Sequence, residues 1–137
     1  MPERHVDCFF YGLFMDRDIL RDSGVVAENP RLAYVDEHAL VIGNRATLVP
    51  RRNARTYGMV FALFHSGIER LYSAPGLEQY RPEAVVAHSL EGDAIPALCY
   101  NLLEVPGDDE VNIQYAAKLQ TVLRNLGFPP EYIDSIL

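Results

Sequence analysis

Apolar positions alternate in short runs along most of this chain and recur at three- and four-residue steps only near its end. From His5 to Tyr11 a weak alternation passes into Cys8-Phe9-Phe10-Tyr11, which predicts a strand buried on both faces and stopped by Gly12. Asp16 offers an N-cap oxygen and Gly24 a left-handed exit for a short helix carrying Ile19 and Leu20. Arg31 to Ile42 predicts a long strand through Ala33, Val35, Ala39 and Val41, punctuated by Gly43-Asn44. Ala46 to Val49 reads as a brief strand before Pro50, and Thr56 to Phe64 as the clearest strand of all. Ser66-Gly67-Ile68-Glu69 fits a capping box, so a helix should start there, turn Leu71 and Tyr72 inward and end at Pro75-Gly76. Two more strands are expected at about Ala84 to His88 and Ile95 to Leu103. After Pro106-Gly107-Asp108 the period changes: Tyr115, Leu119, Val122, Leu123 and Leu126 predict a helix stopped by Gly127. Pro129-Pro130 then opens a last short helix with Tyr132, Ile133 and Ile136.

Strands first and helices last, without strand-helix-strand alternation, predict an α+β fold. We expect a small, mostly antiparallel β-barrel with short helices and a C-terminal helix packed on it, as a single domain over residues 1–137. Charge narrows the partners. Twelve Lys and Arg stand against 19 Asp and Glu, a formal net of −7, and such a field repels polyanions, so no nucleic-acid partner is expected. Glu3, Arg4, His5 and Asp7 precede any apolar run, and no stretch approaches a membrane span, so neither a secretory signal nor a membrane partner is expected. Cys8 and Cys99 lack a CxxC neighbour and sit in apolar runs, which suits reduced thiols and a cytoplasmic location.

His5, His38, His65 and His88 lie too far apart to share a helix face as ligands, and nucleotide, serine-hydrolase and zinc motifs are missing, so neither metal nor cofactor is expected. One junction carries candidate chemistry. Tyr11-Gly12-Leu13-Phe14 ends an aromatic strand, and a glycine hinge there lets successive backbone N–H groups converge on a carboxylate or a developing oxyanion. Arg45, Arg51, Arg52 and Arg55 cluster near Pro50 and Asn53; they suit either a solvated hairpin loop or an anion-gripping rim. Tyr57, Tyr100 and Tyr115 sit in apolar patterns and read as edge-of-core tyrosines.

Four pieces in order resemble the γ-glutamylcyclotransferase-like superfamily, also called avirulence-induced-gene-like: Tyr11-Gly12 after an aromatic strand, Thr56 to Phe61, Leu71 to Tyr80-Arg81, and Tyr115 to Ile133. The resemblance spans nearly the whole chain. It implies a cavity lined by the amides of a Tyr-Gly-Ser motif, here Tyr11, Gly12 and Leu13, followed by Phe14, with Tyr80 as a further substrate-binding residue. It also implies a catalytic glutamate that shuttles a proton while the substrate α-amine attacks the γ-carbonyl and releases 5-oxoproline. The corresponding segment reads Leu71-Tyr72-Ser73-Ala74-Pro75-Gly76, so Pro75 stands in the place of that glutamate.

Losing a general base costs about 10²- to 10⁴-fold in rate. Glu78 is the nearest carboxylate and the candidate substitute, with Glu69 and Glu83 further away. The leading reading is therefore a cavity that binds a small γ-glutamyl or related amine- or carboxylate-bearing ligand, with an acyltransferase activity that hinges on such a substitute. Two rivals stay open: a catalytically inactive ligand-binding module, and an interaction module whose working surface is a homo-oligomeric interface.

Overall fold

The computed structural model describes residues 4–136, so Met1, Pro2, Glu3 and Leu137 lie outside the description. Five strands, β1 (His5–Phe10), β2 (Glu28–Ile42), β3 (Ala46–Phe64), β4 (Tyr80–Ser89) and β5 (Ala94–Leu102), close into a barrel in the order β1-β3-β2-β4-β5. Every neighbouring pair is antiparallel except β1 with β5, which run parallel at Cys8 and Leu98. Four helices decorate it: α1 (Arg17–Asp22), α2 (His65–Tyr72), α3 (Ile113–Leu126) and α4 (Pro130–Asp134). The expected mostly antiparallel barrel with a packed C-terminal helix is the fold observed.

Alternation along β1 and β3 sorts their side chains onto two buried faces. Phe9 and Val60 point into the lumen with Ala33, Val35, Ala87, Ala97 and Cys99. Cys8, Phe10, Met59, Phe61 and Leu63 face outward, beneath a layer of helix that supplies Leu20, Ile68, Leu71, Leu119, Leu123 and Ile133. So many alanines inside reflect the narrow bore of a five-stranded barrel, which one phenylalanine largely fills. Gly58 makes room for it, since a Cβ there would sit 2.6 Å from the Phe9 ring and 2.3 Å from the Phe10 carbonyl.

Several boundaries differ from the sequence expectation. β3 is one 19-residue strand rather than two, because Pro50 pairs with His38, and residues 51–54 are accommodated between there and the Asp36–Arg55 pair as a bulge. Asn53 takes φ 64° in that bulge. α2 begins at His65 with Phe64 as its N-cap, so Ser66 stands inside the helix and the expected capping box is not the start signal. Asp16 does cap α1, its carboxylate accepting from the Asp18 N–H at 2.9 Å.

Helix α3 packs on the barrel through Ala116, Leu119 and Leu123, while Val122 and Leu126 are half-buried at the edge of that contact. Leu119→Ala and Leu123→Ala are each expected to lower stability by about 2–5 kcal/mol, the range for fully buried leucines. Leu126→Ala should cost clearly less. Urea denaturation of the three variants checks the order, and equal losses at all three positions would contradict this packing.

Candidate functional site

The strand β1 delivers its last residues to an open end of the barrel. There Tyr11, Gly12, Leu13 and Phe14 form one wall of a cavity of about 320 Å³, and Tyr72, Leu77, Tyr80, Tyr100 and Tyr115 complete most of the rest. Asn44 and Arg45, in the β2–β3 turn, stand at its rim. Five tyrosines from five separated segments therefore meet in one place.

Local forces hold each ring. The Tyr11 hydroxyl donates to the Tyr100 carbonyl at 2.7 Å, and the Tyr80 hydroxyl to the Ala46 carbonyl at 2.5 Å. Tyr72 stacks on Tyr100 with centroids 4.0 Å apart and planes within 12°. Tyr115 is fixed at the start of α3, where the Asn112 side chain caps the helix by accepting from the Tyr115 N–H at 3.1 Å. Its hydroxyl accepts from the Leu13 N–H at 3.3 Å. That bond leaves the phenolic proton of Tyr115 free to donate in turn, so the amide of the turn is extended by one hydroxyl.

Burial raises the phenol pKa values of all five cavity tyrosines. Tyr80 is pushed up to about 12, and Tyr11 and Tyr72 stand well above the ordinary range. Tyr100 and Tyr115 shift the same way and for the same first cause. At neutral pH these groups are protonated donors, and none is a base.

No acidic side chain lines the cavity among the described residues. Pro75 is exposed, as is Glu78, although its neighbour Leu77 belongs to the wall. Arg81 donates to the Glu78 carbonyl at 2.6 Å, which pins that turn against the start of β4. Glu69 and Glu83 are also exposed, and Glu83 accepts from the Asn101 amide at 2.6 Å. The structure thus brings Tyr11, Gly12, Leu13, Phe14 and Tyr80 together in one wall, with Glu78 on the outer side of the turn beside it.

The arginine cluster divides. Arg55 pairs with Asp36 at 2.7 Å and lies 3.8 Å above the Tyr34 ring, far along the barrel wall, while Arg51 and Arg52 are exposed on the β3 bulge. Only Arg45 reaches the cavity. The roles of Tyr100 and Tyr115 as wall residues were hidden by their apolar surroundings, which suit an edge-of-core tyrosine equally well. Among the described residues no three His, Cys, Asp or Glu side chains gather as a metal set, and no helix is long and apolar enough to cross a membrane.

Gly12 has an extended backbone, φ −114° and ψ −152°, that any residue adopts. Its constraint is contact: a Cβ would come within 2.3 Å of the Tyr115 hydroxyl oxygen but 3.6 Å from the ring carbon that bears it. Gly12→Ala is expected to displace that hydroxyl and destabilise by about 1–3 kcal/mol, the range for overpacking in a filled site. In a Tyr115→Phe background, which removes the oxygen, the same substitution should cost less. A double-mutant cycle by chemical denaturation reads this coupling, and strict additivity would refute the contact.

No family model matches the sequence, and no curated protein matches it either. Solved structures do match its fold. A γ-glutamyl cyclotransferase is 18% identical with a TM-score of 0.81, over 96% of this chain and 86% of that one. An uncharacterized protein from Homo sapiens is 20% identical with a TM-score of 0.80, over 98% of this chain and 87% of that one. YkqA from Bacillus subtilis is 20% identical with a TM-score of 0.78, covering 96% of this chain but 55% of that longer one. Barrel order, helical cover and near-complete overlap agree: this chain has the γ-glutamyl cyclotransferase-like fold.

Proposed function

We propose that this protein binds a small γ-glutamyl compound, or a related amine- or carboxylate-bearing ligand, in the tyrosine-walled end of its barrel and does not turn it over as a cyclotransferase. The observation that carries this reading is the composition of the wall: aromatic faces and phenolic donors without a carboxylate. Such a wall supports binding. Ring faces pack against the aliphatic stem of a glutamyl group, and the Tyr115 hydroxyl, fed by the Leu13 amide, donates to a carboxylate or carbonyl oxygen. Cyclisation needs more, because the α-ammonium must lose a proton before its nitrogen can attack the γ-carbonyl. Phenols held protonated by burial accept no such proton, and the exposed Glu78 stands outside the wall. Two buried free thiols, Cys8 and Cys99, with raised pKa values suit a reducing compartment and support a cytoplasmic location.

Thermal unfolding in the presence of γ-glutamyl amines tests binding. A ligand at about 100 times its dissociation constant should add roughly 2.7 kcal/mol, a clear rise in the melting midpoint. No member of the panel should release 5-oxoproline, and turnover in the wild type would overturn the non-catalytic half of the reading. Glu78→Gln then decides whether that residue is the base, since glutamine keeps shape but accepts no proton at neutral pH. With no ligand stabilising the protein, the binding half fails.

Alkaline titration supplies a separate check on the buried phenols. Tyr80 has a folded pKa of about 12, above its ordinary value near 10. A raised pKa stabilises fully below the unfolded value, so this contribution holds up to about pH 10 and is lost as pH rises through 12. Unfolding free energy followed by denaturant melts should fall over that interval, and less steeply in Tyr80→Phe.

A further inference from the structure

The cavity does not end at its rim. Asn44 and Arg45 also belong to a second concavity of about 590 Å³ on the outside of the barrel mouth. Gln79 and Arg81 line it with Arg45 on one side, and Leu103, Val105 and Pro106 line it on the other. Cations and apolar surface thus face one another across a groove that starts where the tyrosine cavity opens.

The charges in this groove are unevenly committed. Glu110 spends its carboxylate on the turn: its two oxygens accept from the Asn44 N–H at 2.9 Å and the Gly107 N–H at 3.0 Å. These backbone bonds lower its pKa and keep it ionised in that role. Arg45 has no carboxylate within salt-bridge distance among the described residues. Arg81 donates from Nη1 to the carbonyls of Glu78 and Tyr80, at 2.6 and 3.0 Å, which positions its guanidinium and leaves the other arm of the fork unbonded. Glu104 is then the single carboxylate of the groove not engaged by the protein, against two guanidinium groups.

Across from them, Leu103 is 78% exposed and Val105 60% exposed, both large apolar side chains standing in solvent beside a polar cleft. A ligand that leaves the cavity past Asn44 and Arg45 therefore meets fixed positive charge on one flank and bare hydrocarbon on the other. We infer that the groove receives the second residue of a γ-glutamyl dipeptide, with its free α-carboxylate on Arg45 and Arg81 and an apolar side chain on Leu103, Val105 and Pro106. This rests on the reading of the inner cavity as a glutamyl site, and it narrows the ligand from γ-glutamyl amines in general to γ-glutamyl peptides with a free carboxyl end.

Isothermal titration with three synthetic probes separates the two claims: γ-glutamyl-leucine, its C-terminal amide, and γ-glutamyl methylamide. The acid should bind about tenfold tighter than the amide, as expected for charge-assisted hydrogen bonds to a carboxylate. That ratio should fall to about twofold or less in Arg45→Gln, and the acid's advantage should weaken as salt is raised. Arg45 is exposed, so the variant should keep the wild-type melting midpoint. Arg81→Gln should reduce the ratio as well. Equal binding of acid and amide by the wild type overturns the groove assignment and leaves the cavity reading standing on their shared affinity. Binding of the methylamide alone also overturns it. Failure of all three probes to bind overturns the groove and the cavity together.

Discussion

Closure of the barrel by β1 is the constraint on which the site depends. This six-residue strand is antiparallel to β3 along its length and touches β5 in parallel, so it must bury both of its faces and stop where the lumen opens. Beyond its end no backbone ladder joins β3 to β5, and side chains take over. The Thr47 hydroxyl accepts from the Leu102 N–H at 3.0 Å, and the Asn101 carbonyl oxygen accepts from the Leu48 N–H at 3.2 Å. Thr47 and Asn101 are buried polar residues with partners, as a seam of this kind requires. The mouth is held open by this seam on one side and by the Gly12–Tyr115 contact on the other.

Those two supports explain why a binding cavity forms at this end. The α3 helix, docked by Leu119 and Leu123, carries Tyr115 over the turn after β1. The segment 106–112 is in turn tied to the β2–β3 turn by Glu110 and by the Asn112 amide, which donates to the Asn44 carbonyl at 3.4 Å. Core packing in the helical layer thus sets the position of a hydroxyl inside the cavity. A loss of packing under α3 would loosen the site before it unfolded the barrel, since strand closure does not rest on that helix.

Legibility in the sequence followed how local each signal was. The run Cys8 to Tyr11 announced a strand buried on both faces because aromatic and sulfur side chains filled consecutive positions. The unity of β3 was concealed because Pro50 and Asn53 look like loop residues, and only the partner strand shows that a bulge absorbs the intervening residues. The first half of β4 was missed for a related reason. Tyr80, Arg81, Pro82 and Glu83 look irregular, yet β4 meets β2 only near His88 and Ser89, so its earlier part has an open side where proline loses no ladder bond. At the site, Tyr11 and Gly12 stood out as a strand-ending pair. Convergence of Tyr72, Tyr100 and Tyr115 did not, because three residues far apart in sequence leave no local pattern.

The wall that results separates recognition from reaction. Five phenols offer ring surface and protons, and the same burial that gives them a dry, shaped cavity raises their pKa values and removes them as bases. A carboxylate in that wall would reverse the balance: desolvation would push its pKa toward neutrality and make it a competent proton shuttle. Pro75 contributes no such group, and the neighbouring turn directs Leu77 into the wall while Glu78 stays in solvent. A barrel of this fold can therefore keep its pocket, its aromatic grip and its donor at Tyr115 after losing the group that moves protons. What it then offers a glutamyl ligand is an environment better suited to holding it than to cyclising it.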